Sequence, residues 1–538
     1  MPNTVEFNGR PFHFIGIGGI GMSALAYILA KRQLPIFGSD LQTSHITRRL
    51  QGMGAHIFWS QDASNFDIFR SPNGNGTMSH RSGATAPAVS PESPPGEGWG
   101  DGGTGTPTSD GSNGKGPSFS GFQLPQVICS TAIHPQNAEY QAALQLGCPI
   151  FHRSDLLAAL IRDYQSIAVA GTHGKTTTSS LIAFLLLEAG LDPTILIGGE
   201  VNAWEGNARM GRGPYMVAEA DESDGSLVKL AARIGVVTNI ELDHPDHYQT
   251  LDQVVSTFQV FAGQCETVVG CIDCETVRDR IRPSVSYSLN PQSDADYTAD
   301  EVEYHPDGIV ARVFEGGRPL GRLRLQLLGR HNLSNALAAV AVGRLLGLEF
   351  STIADAVARF QGAKRRFEYR GHCGGIQFVD DYAHHPSEIR VTLAAARLRM
   401  QPPPPTALTS VHPTAAIKRV IAVFQPHRYS RTRAFLEEFA ECFGDADLVL
   451  LTDIYSAGEP DSGAIDGQQL ADRIARHHPR VDYQPTLEAV TIRLRELLKP
   501  GDLVLFLGAG NLNRVIPEVM AFFQDSDGQS EAHPTECA

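Results

Sequence analysis

Short apolar runs recur along the chain. Each is followed by a glycine-rich or polar turn, and then by apolar positions at helical spacing. Phe12 to Ile17 is the first run; GIGGIGMS follows it, and Ser23 to Lys31 carries a helical pattern. Leu34 to Gly38, closed by Ser39 and Asp40, reads as the next strand. Strand, glycine turn, helix, strand is how a doubly wound α/β domain begins. Further strands are predicted at Ala55 to Phe58, Val127 to Ser130 and near Pro149 to Phe151. A second series starts near Asp163, with a strand at Ser166 to Ala170, the turn GTHGKTTT and a helix at Ser179 to Glu188. It continues with strands at Thr194 to Ile197, Tyr215 to Glu219 and Ile234 to Asn239, and helices at Leu251 to Ala262 and Asn332 to Leu346. A third series follows the basic GAKRRFE segment. Its strands are Gln377 to Asp380, Val420 to Phe424, Leu448 to Thr452 and Leu503 to Leu507, and its helices are Pro386 to Leu398 and Arg433 to Phe443.

The expected fold is therefore α/β in three domains, two of them Rossmann-like and the central one P-loop ATPase-like with a mostly parallel sheet. The boundaries are 1–162, 163–362 and 363–525, with a flexible tail at 526–538. Composition interrupts the pattern twice. In residues 71–120, 28 of 50 are Gly, Ser or Pro. Such a segment cannot bury enough apolar surface to offset its ordering entropy, so 71–121 is expected to be a disordered insertion in a loop. Residues 401–417, with four consecutive prolines, form a second loop insertion between helix and strand.

The chain has 538 residues, of which 42% are hydrophobic, enough for several cores. Its net charge of −15 makes a general nucleic-acid partner unexpected, because phosphates repel it. No run approaches the ~20 apolar residues of a membrane span, and the first residues lack the pattern of an export signal. A cytoplasmic protein without membrane insertion is the expectation. Eight scattered cysteines suit reduced thiols there. Cys271 and Cys274 form a lone CxxC without the second pair that a structural zinc site needs.

The strongest chemical signal is Gly171, Thr172, His173, Gly174, Lys175, Thr176 and Thr177, between a strand and a helix. Backbone N–H groups at a helix N-terminus cradle phosphates, the lysine meets the terminal phosphates, and the threonine hydroxyl can hold Mg²⁺. The loop is shorter by two residues than the usual phosphate loop. Gly16, Gly18, Gly19 and Gly21, with Asp40 at the end of the next strand, satisfy a dinucleotide fingerprint. The presence of a separate ATP-type loop opens another reading, in which this site holds a nucleotide diphosphate that is a substrate. A nicotinamide oxidoreductase and a non-catalytic nucleotide-binding regulator stand as alternatives.

EADESD, residues 219–224, places four carboxylates at a strand end, where Mg²⁺ is a natural counter-ion. His244 and His247 in DHPDH offer a further ligand. Basic clusters at 364–366 and 427–433 fall at element junctions and suit a carboxylate or a phosphoryl group.

GIGGIGMS, GTHGKTTT, EADESD, TNIELDHPDH, HNLSNALAA, RRFE, DDYAHHPSE, QPHRYSRTR and DIYSAGE occur in the order seen in the Mur ligases, and the chain resembles that family over nearly its whole length. The resemblance implies three domains that hold a UDP-sugar, ATP and an amino acid in turn. It implies an ATP-dependent amide ligase that joins L-alanine to the carboxylate of UDP-N-acetylmuramate through an acyl phosphate, in peptidoglycan biosynthesis. By position, Lys175, Glu219, His244 and Arg366 match catalytic residues, and Thr176, Glu219 and His244 match metal ligands. His331, Asn332 and Asn335 join the phosphate loop at ATP, the first glycine loop and Asp40 hold the UDP-sugar, and His385, His427, Arg428 and Arg431 match the amino-acid pocket. Many Mur ligases carry a carbamylated lysine; Lys229 is not expected to.

Overall fold

The computed structural model describes residues 4–70, 123–400, 417–461 and 463–530. The expected insertion at 71–121, residues 401–416 and tail residues 531–538 lie outside them. Among the described residues, no helix is long and apolar enough to cross a membrane.

Strands β1 (Phe12–Ile15), β2 (Ile36–Ser39), β3 (His56–Phe58), β4 (Gln126–Cys129) and β5 (Ile150–His152) form a parallel sheet in the order β3-β2-β1-β4-β5. The chain turns sharply after Ile15 because Gly16 has φ +79°, so β1 ends two residues before the apolar run does. Helix Ile20–Lys31 then buries Met22, Leu25, Ile28 and Leu29 against the sheet. Strand order reverses between β1 and β4, and that reversal opens a crevice at the strand ends. The glycine loop after β1 sits there.

Ten strands make the central sheet: β6 (Gln165–Ala170), β7 (Thr194–Val201), β8 (Gly206–Arg209), β9 (Tyr215–Glu219), β10 (Ile234–Val237), β11 (Thr267–Cys271), β12 (Val285–Ser288), β13 (Tyr297–His305), β14 (Gly308–Glu315) and β15 (Arg318–Leu325). Their order is β15-β14-β13-β12-β11-β10-β6-β9-β7-β8; β13 through β7 are parallel, while β8, β14 and β15 are antiparallel additions at the two edges. The phosphate loop leaves the end of β6, which lies between β10 and β9 deep in the sheet. Helix Lys175–Glu188 and helix Arg330–Leu345 cover it, and both are buried on most sides.

The third sheet contains β16 (Glu368–Cys373), β17 (Ile376–Asp381), β18 (Arg419–Phe424), β19 (Leu448–Leu451), β20 (Val481–Tyr483) and β21 (Asp502–Leu507), ordered β16-β17-β21-β18-β19-β20, with only β16 antiparallel. Two expectations need correction here. The helix predicted at Arg433 to Phe443 is two short helices, Tyr429–Ala434 and Leu436–Ala440, broken at Phe435 (φ −112°, ψ 30°). The break turns the Phe435 ring edge-on to His385, with centroids 4.7 Å apart. The final helix, Val515–Ser530, runs beyond the boundary at 525 where a tail was expected. Nothing in residues 526–530 forbids helix continuation except one glycine, whose cost is about 1 kcal/mol.

Candidate active site

The phosphate loop is braced from beneath by the segment after β10. Asn239 Oδ1 accepts the His173 N–H at 2.9 Å, and the Thr238 hydroxyl and Asn239 side-chain amide both donate to the His173 carbonyl. The Thr172 hydroxyl accepts from Glu241 N at 2.9 Å. Gly174 caps the following helix in a left-handed conformation, φ +83°. A Cβ there would also stand 2.8 Å from Asn335 Oδ1, so glycine is required by both backbone and neighbour. Asn335 in turn donates to Asn332 Oδ1 at 3.2 Å, which fixes its side chain within the first turns of helix Arg330–Leu345. His331 lies over Gly329, and burial pulls its imidazole down to about 4, so it is neutral.

Lys175 points back into its own loop. Its ammonium donates to the Gly171 carbonyl (2.7 Å), the Thr172 carbonyl (3.1 Å) and both Glu222 oxygens (3.0 and 2.9 Å). Burial alone would depress its pKa, but Glu222 and Asp221 raise it, and the amine stays charged. Glu222 is 1% exposed. Burial lifts its carboxyl, Lys175 opposes that, and Asp221 adds to it. Two metal-compatible sets flank the lysine. The Thr176 hydroxyl donates to Glu219 Oε1 at 3.2 Å, while Glu219 Oε2 accepts from Gly198 N. His244 is grouped with Asp221 and Glu222, whose ligand atoms all lie within 4.8 Å of one another. Of the three expected metal ligands, Thr176 and Glu219 thus meet directly, and His244 instead joins Asp221 and Glu222 of the same acidic motif. His244 itself has φ +55°, and burial lowers its pKa.

The third sheet's unit docks one end on this loop. Arg366 donates to the Thr176 hydroxyl at 3.4 Å and stacks on Tyr382. Arg431 pairs with Asp243 at 3.0 Å, both side chains being 5% exposed. Asp243 is driven far below the usual carboxylate range: burial works the other way, and Arg431 and His244 overcome it. Arg428 reaches Asp246 at 2.7 Å. His173 lies between Glu388 (3.3 Å) and Glu241 (3.4 Å). Burial opposes its charge, yet those two carboxylates raise it to about 10, so it is an imidazolium. His385 and His427 are pulled down to about 4, chiefly by burial, and are neutral.

His173, Glu241 and His385 form a second cluster within ligand distance. Tautomer logic argues against a metal there. His385 caps helix Pro386–Leu398 by accepting Ser387 N–H at Nδ1, which places the proton of a neutral ring on Nε2. That Nε2 is buried without a partner, so it is a donor facing the site and suits an incoming oxygen.

Comparison with known proteins gives the family. Residues 11–101 match the description "Mur ligase family, catalytic domain", 169–343 the "Mur ligase middle domain" and 365–510 the "Mur ligase, glutamate ligase domain". A protein of Nostoc punctiforme named UDP-N-acetylmuramate–L-alanine ligase is 60% identical over 523 residues, 97% of this chain and 98% of that one. One of the same name from Trichodesmium erythraeum is 61% identical, over 97% of this chain and 98% of its own. The chain belongs to the Mur ligase family. The solved structure of UDP-N-acetylmuramate–alanine ligase from Thermotoga maritima shares the fold, with TM-score 0.71, 24% identity, and coverage of 96% of this chain and 100% of that one. A murein peptide ligase from Psychrobacter arcticus shares it at TM-score 0.62 and 20% identity, covering 96% and 99%.

In this Mur ligase the first glycine loop hangs from the end of β2. Gly16 N and Ile17 N both donate to the Ser39 carbonyl at 2.9 Å, and Gly18 N donates to Asp40 Oδ2 at 2.7 Å. Asp40 thus braces its own loop, and its other oxygen accepts from Gln42 N. Gly19 caps helix Ile20–Lys31, and Gly21 follows within its first turn, near Arg153. Lys229 is held by Asp155 at 2.7 Å. Cys271 contacts Ser334 and Cys274 contacts Ile240, each as a free thiol. Glu241 and Glu388, which flank His173, are site residues that the sequence reading did not single out. Both sit inside quoted motifs, TNIELDHPDH and DDYAHHPSE.

Proposed function

We propose that this Mur ligase joins L-alanine to the carboxylate of UDP-N-acetylmuramate, with ATP converted to ADP and phosphate, as a step of cytoplasmic peptidoglycan synthesis. The reading rests on one observation: Arg366 and His385 lie against Thr176 and His173 of the phosphate loop, in a chain about 60% identical to relatives of that name. We assign residues 1–162 to the UDP-sugar, 163–362 to ATP and 363–525 to the amino acid.

In the first step a carboxylate oxygen attacks the γ-phosphorus and ADP departs, leaving an acyl phosphate. In the second, the alanine amine attacks the acyl carbon, phosphate departs and the nitrogen loses its proton. Both partners of the first step are anions, so the chain must gather positive charge around them. Lys175, the loop N–H groups and Arg366 stand where that charge is needed. Arg428 and Arg431 suit the amino acid's carboxylate, and the His385 Nε2–H is a further donor to a substrate oxygen. Holding the two units together keeps the amine beside the activated carbon and excludes water from it.

The Thr176 hydroxyl and Glu219 carboxylate are hard oxygen donors of the kind Mg²⁺ prefers, and Asp221 and Glu222 beside His244 offer more. Bound there, Mg²⁺ would neutralise charge on the transferred phosphoryl group.

The test is phosphate release with UDP-N-acetylmuramate, ATP and each amino acid in turn. Release that depends on alanine and on the UDP-sugar is expected. Release without either, or with another amino acid only, would overturn the assignment.

A further inference from the structure

The residue-1–162 unit contains a buried polar network that the mechanism above does not use. Glu139 stands in the first turn of helix Ala138–Gln145, the helix that follows β4, and is 0% exposed. His13, in the middle of β1, is also 0% exposed, and its Nε2 meets Glu139 Oε1 at 2.7 Å. Asn65 Nδ2 donates to the same oxygen at 2.8 Å, and the Ser39 hydroxyl donates to the other. The surroundings are aromatic: the His13 ring packs 4.7 Å from Phe66 and 6.0 Å from Phe58 and Phe69.

A carboxylate wholly removed from water costs several kcal/mol unless its lone pairs are filled, and a well-packed apolar side chain is often the more stable occupant. Glu139 meets three polar side chains, and what it holds is specific. Ser39 is the last residue of β2. Its carbonyl carries the amides of Gly16 and Ile17, and the next residue, Asp40, carries the amide of Gly18. Three successive N–H groups of the glycine loop thus depend on one strand end. That strand end is tied sideways, by one hydroxyl, to a helix on the far side of the β1–β4 strand-order reversal. β1 itself, which launches the loop, is tied to the same carboxylate through His13.

We propose that Glu139 is a positioning residue for the nucleotide-sugar loop: through Ser39 and His13 it clamps both strands that present Gly16 to Gly21 to the diphosphate. The helix-side carboxylate sets the loop's register, as a misplacement of even ~0.5 Å weakens a preorganised site. This inference rests on the UDP-sugar assignment made above.

Two variants test it. Ser39→Ala removes only the hydroxyl that links loop and carboxylate, and leaves Glu139 its other two donors. Glu139→Gln keeps size and shape but replaces one acceptor by a donor. Steady-state kinetics on each should show KM for UDP-N-acetylmuramate raised about 5- to 10-fold, in line with the loss of one hydrogen bond, with kcat and KM for ATP and alanine held within about 2-fold. The double variant should be no worse than Glu139→Gln alone, because both act through one link. An unchanged KM for the UDP-sugar in Ser39→Ala would overturn the proposal. So would a parallel rise in all three KM values, which marks general loosening, or strictly additive effects in the double variant. Should Glu139→Gln not fold, Ser39→Ala decides alone. The wild-type enzyme is assayed first: lack of dependence on UDP-N-acetylmuramate there would defeat the functional reading itself, separately from the role of Glu139.

Discussion

Gly174 and Gly190 bracket the same helix, and replacing each with alanine separates two effects that usually come mixed. Gly174 precedes Lys175–Glu188 with φ +83°, and Gly190 follows it with φ +74°. A left-handed backbone costs an L-residue roughly 1–2 kcal/mol, so both variants share that strain. They differ in what the new methyl meets. At Gly190 there is nothing within 4 Å, while at Gly174 it would stand 2.8 Å from Asn335 Oδ1 and 3.5 Å from Asn335 Cγ. Asn335 is 6% exposed and is fixed by its bond to Asn332, so it has little freedom to retreat. Overpacking of that kind adds about 1–3 kcal/mol. Gly174→Ala is therefore expected to be about 2–5 kcal/mol less stable than wild type, and Gly190→Ala only about 1–2 kcal/mol. At roughly 2–4 °C per kcal/mol for a unit of this size, the two should melt several degrees apart. Thermal denaturation followed by circular dichroism gives the stabilities, and phosphate release gives the activity. Gly174→Ala should lose most activity, because its methyl displaces the loop assigned to the phosphates, whereas Gly190→Ala should keep it. Equal melting temperatures, or a fully active Gly174→Ala, would refute both the steric argument and the assignment of this turn to phosphate.

Lys175→Met should lower kcat by at least about 10³-fold, since it removes a cation worth several kcal/mol in the transition state. Adding Glu222→Gln should recover stability but not turnover, and recovery of turnover would deny the lysine its role. Asp243→Asn should cost about 3–5 kcal/mol as the buried Arg431 loses its partner, and a double cycle with Arg431→Met should show strong coupling by denaturant titration. The His173 imidazolium should stabilise docking of the two units fully below its ordinary value near 6.5. That contribution should be lost as pH rises through about 10, because the raised folded-state pKa means the folded form holds the proton longer. His173→Gln should flatten the stability-versus-pH curve between pH 7 and 10, and an unaltered slope would exclude the histidine as its source. Gly18→Val should raise KM for UDP-N-acetylmuramate before that for ATP, because its side chain collides first with Asp40, 2.6 Å from the new Cβ; an ATP-selective defect would mean the two loops are exchanged.

Helix Pro386–Leu398 and strand Tyr215–Glu219 have the bounds the sequence predicts, for local reasons. Pro386 sits in the first turn, and His385 and Glu388 complete a capping box, so every signal for that helix start lies within four residues. Tyr215–Glu219 is short, largely apolar and buried on its inner positions. The hairpins β13 to β15 were not legible because their outward positions are charged, as in the TADEVEYH segment, and their pattern is that of a solvated edge. The break at Phe435 was hidden as well, since Phe435 and Phe439 keep helical spacing across it. In the site, the phosphate loop and first glycine loop were readable because their chemistry is contiguous. The pairings that complete the site were not: Arg431 meets Asp243 across 188 positions, and Arg366 meets Thr176 across 190. Sequence spacing carries no information about contacts that depend on how two separately folded sheets meet.

The Lys175 ammonium begins with its charge already answered by Glu222 and by two carbonyls of its own loop. On the ATP assignment proposed above, an arriving nucleotide would not meet a bare cation; it would trade places with a resident carboxylate. What it gains is the difference between two partners, so a small anion with few other contacts has little to offer in the exchange. Inorganic phosphate, one of the products, should therefore be a feeble competitor of ATP. With this internal substitute for a phosphate's charge, the loop would give up raw attraction and gain discrimination and easy release.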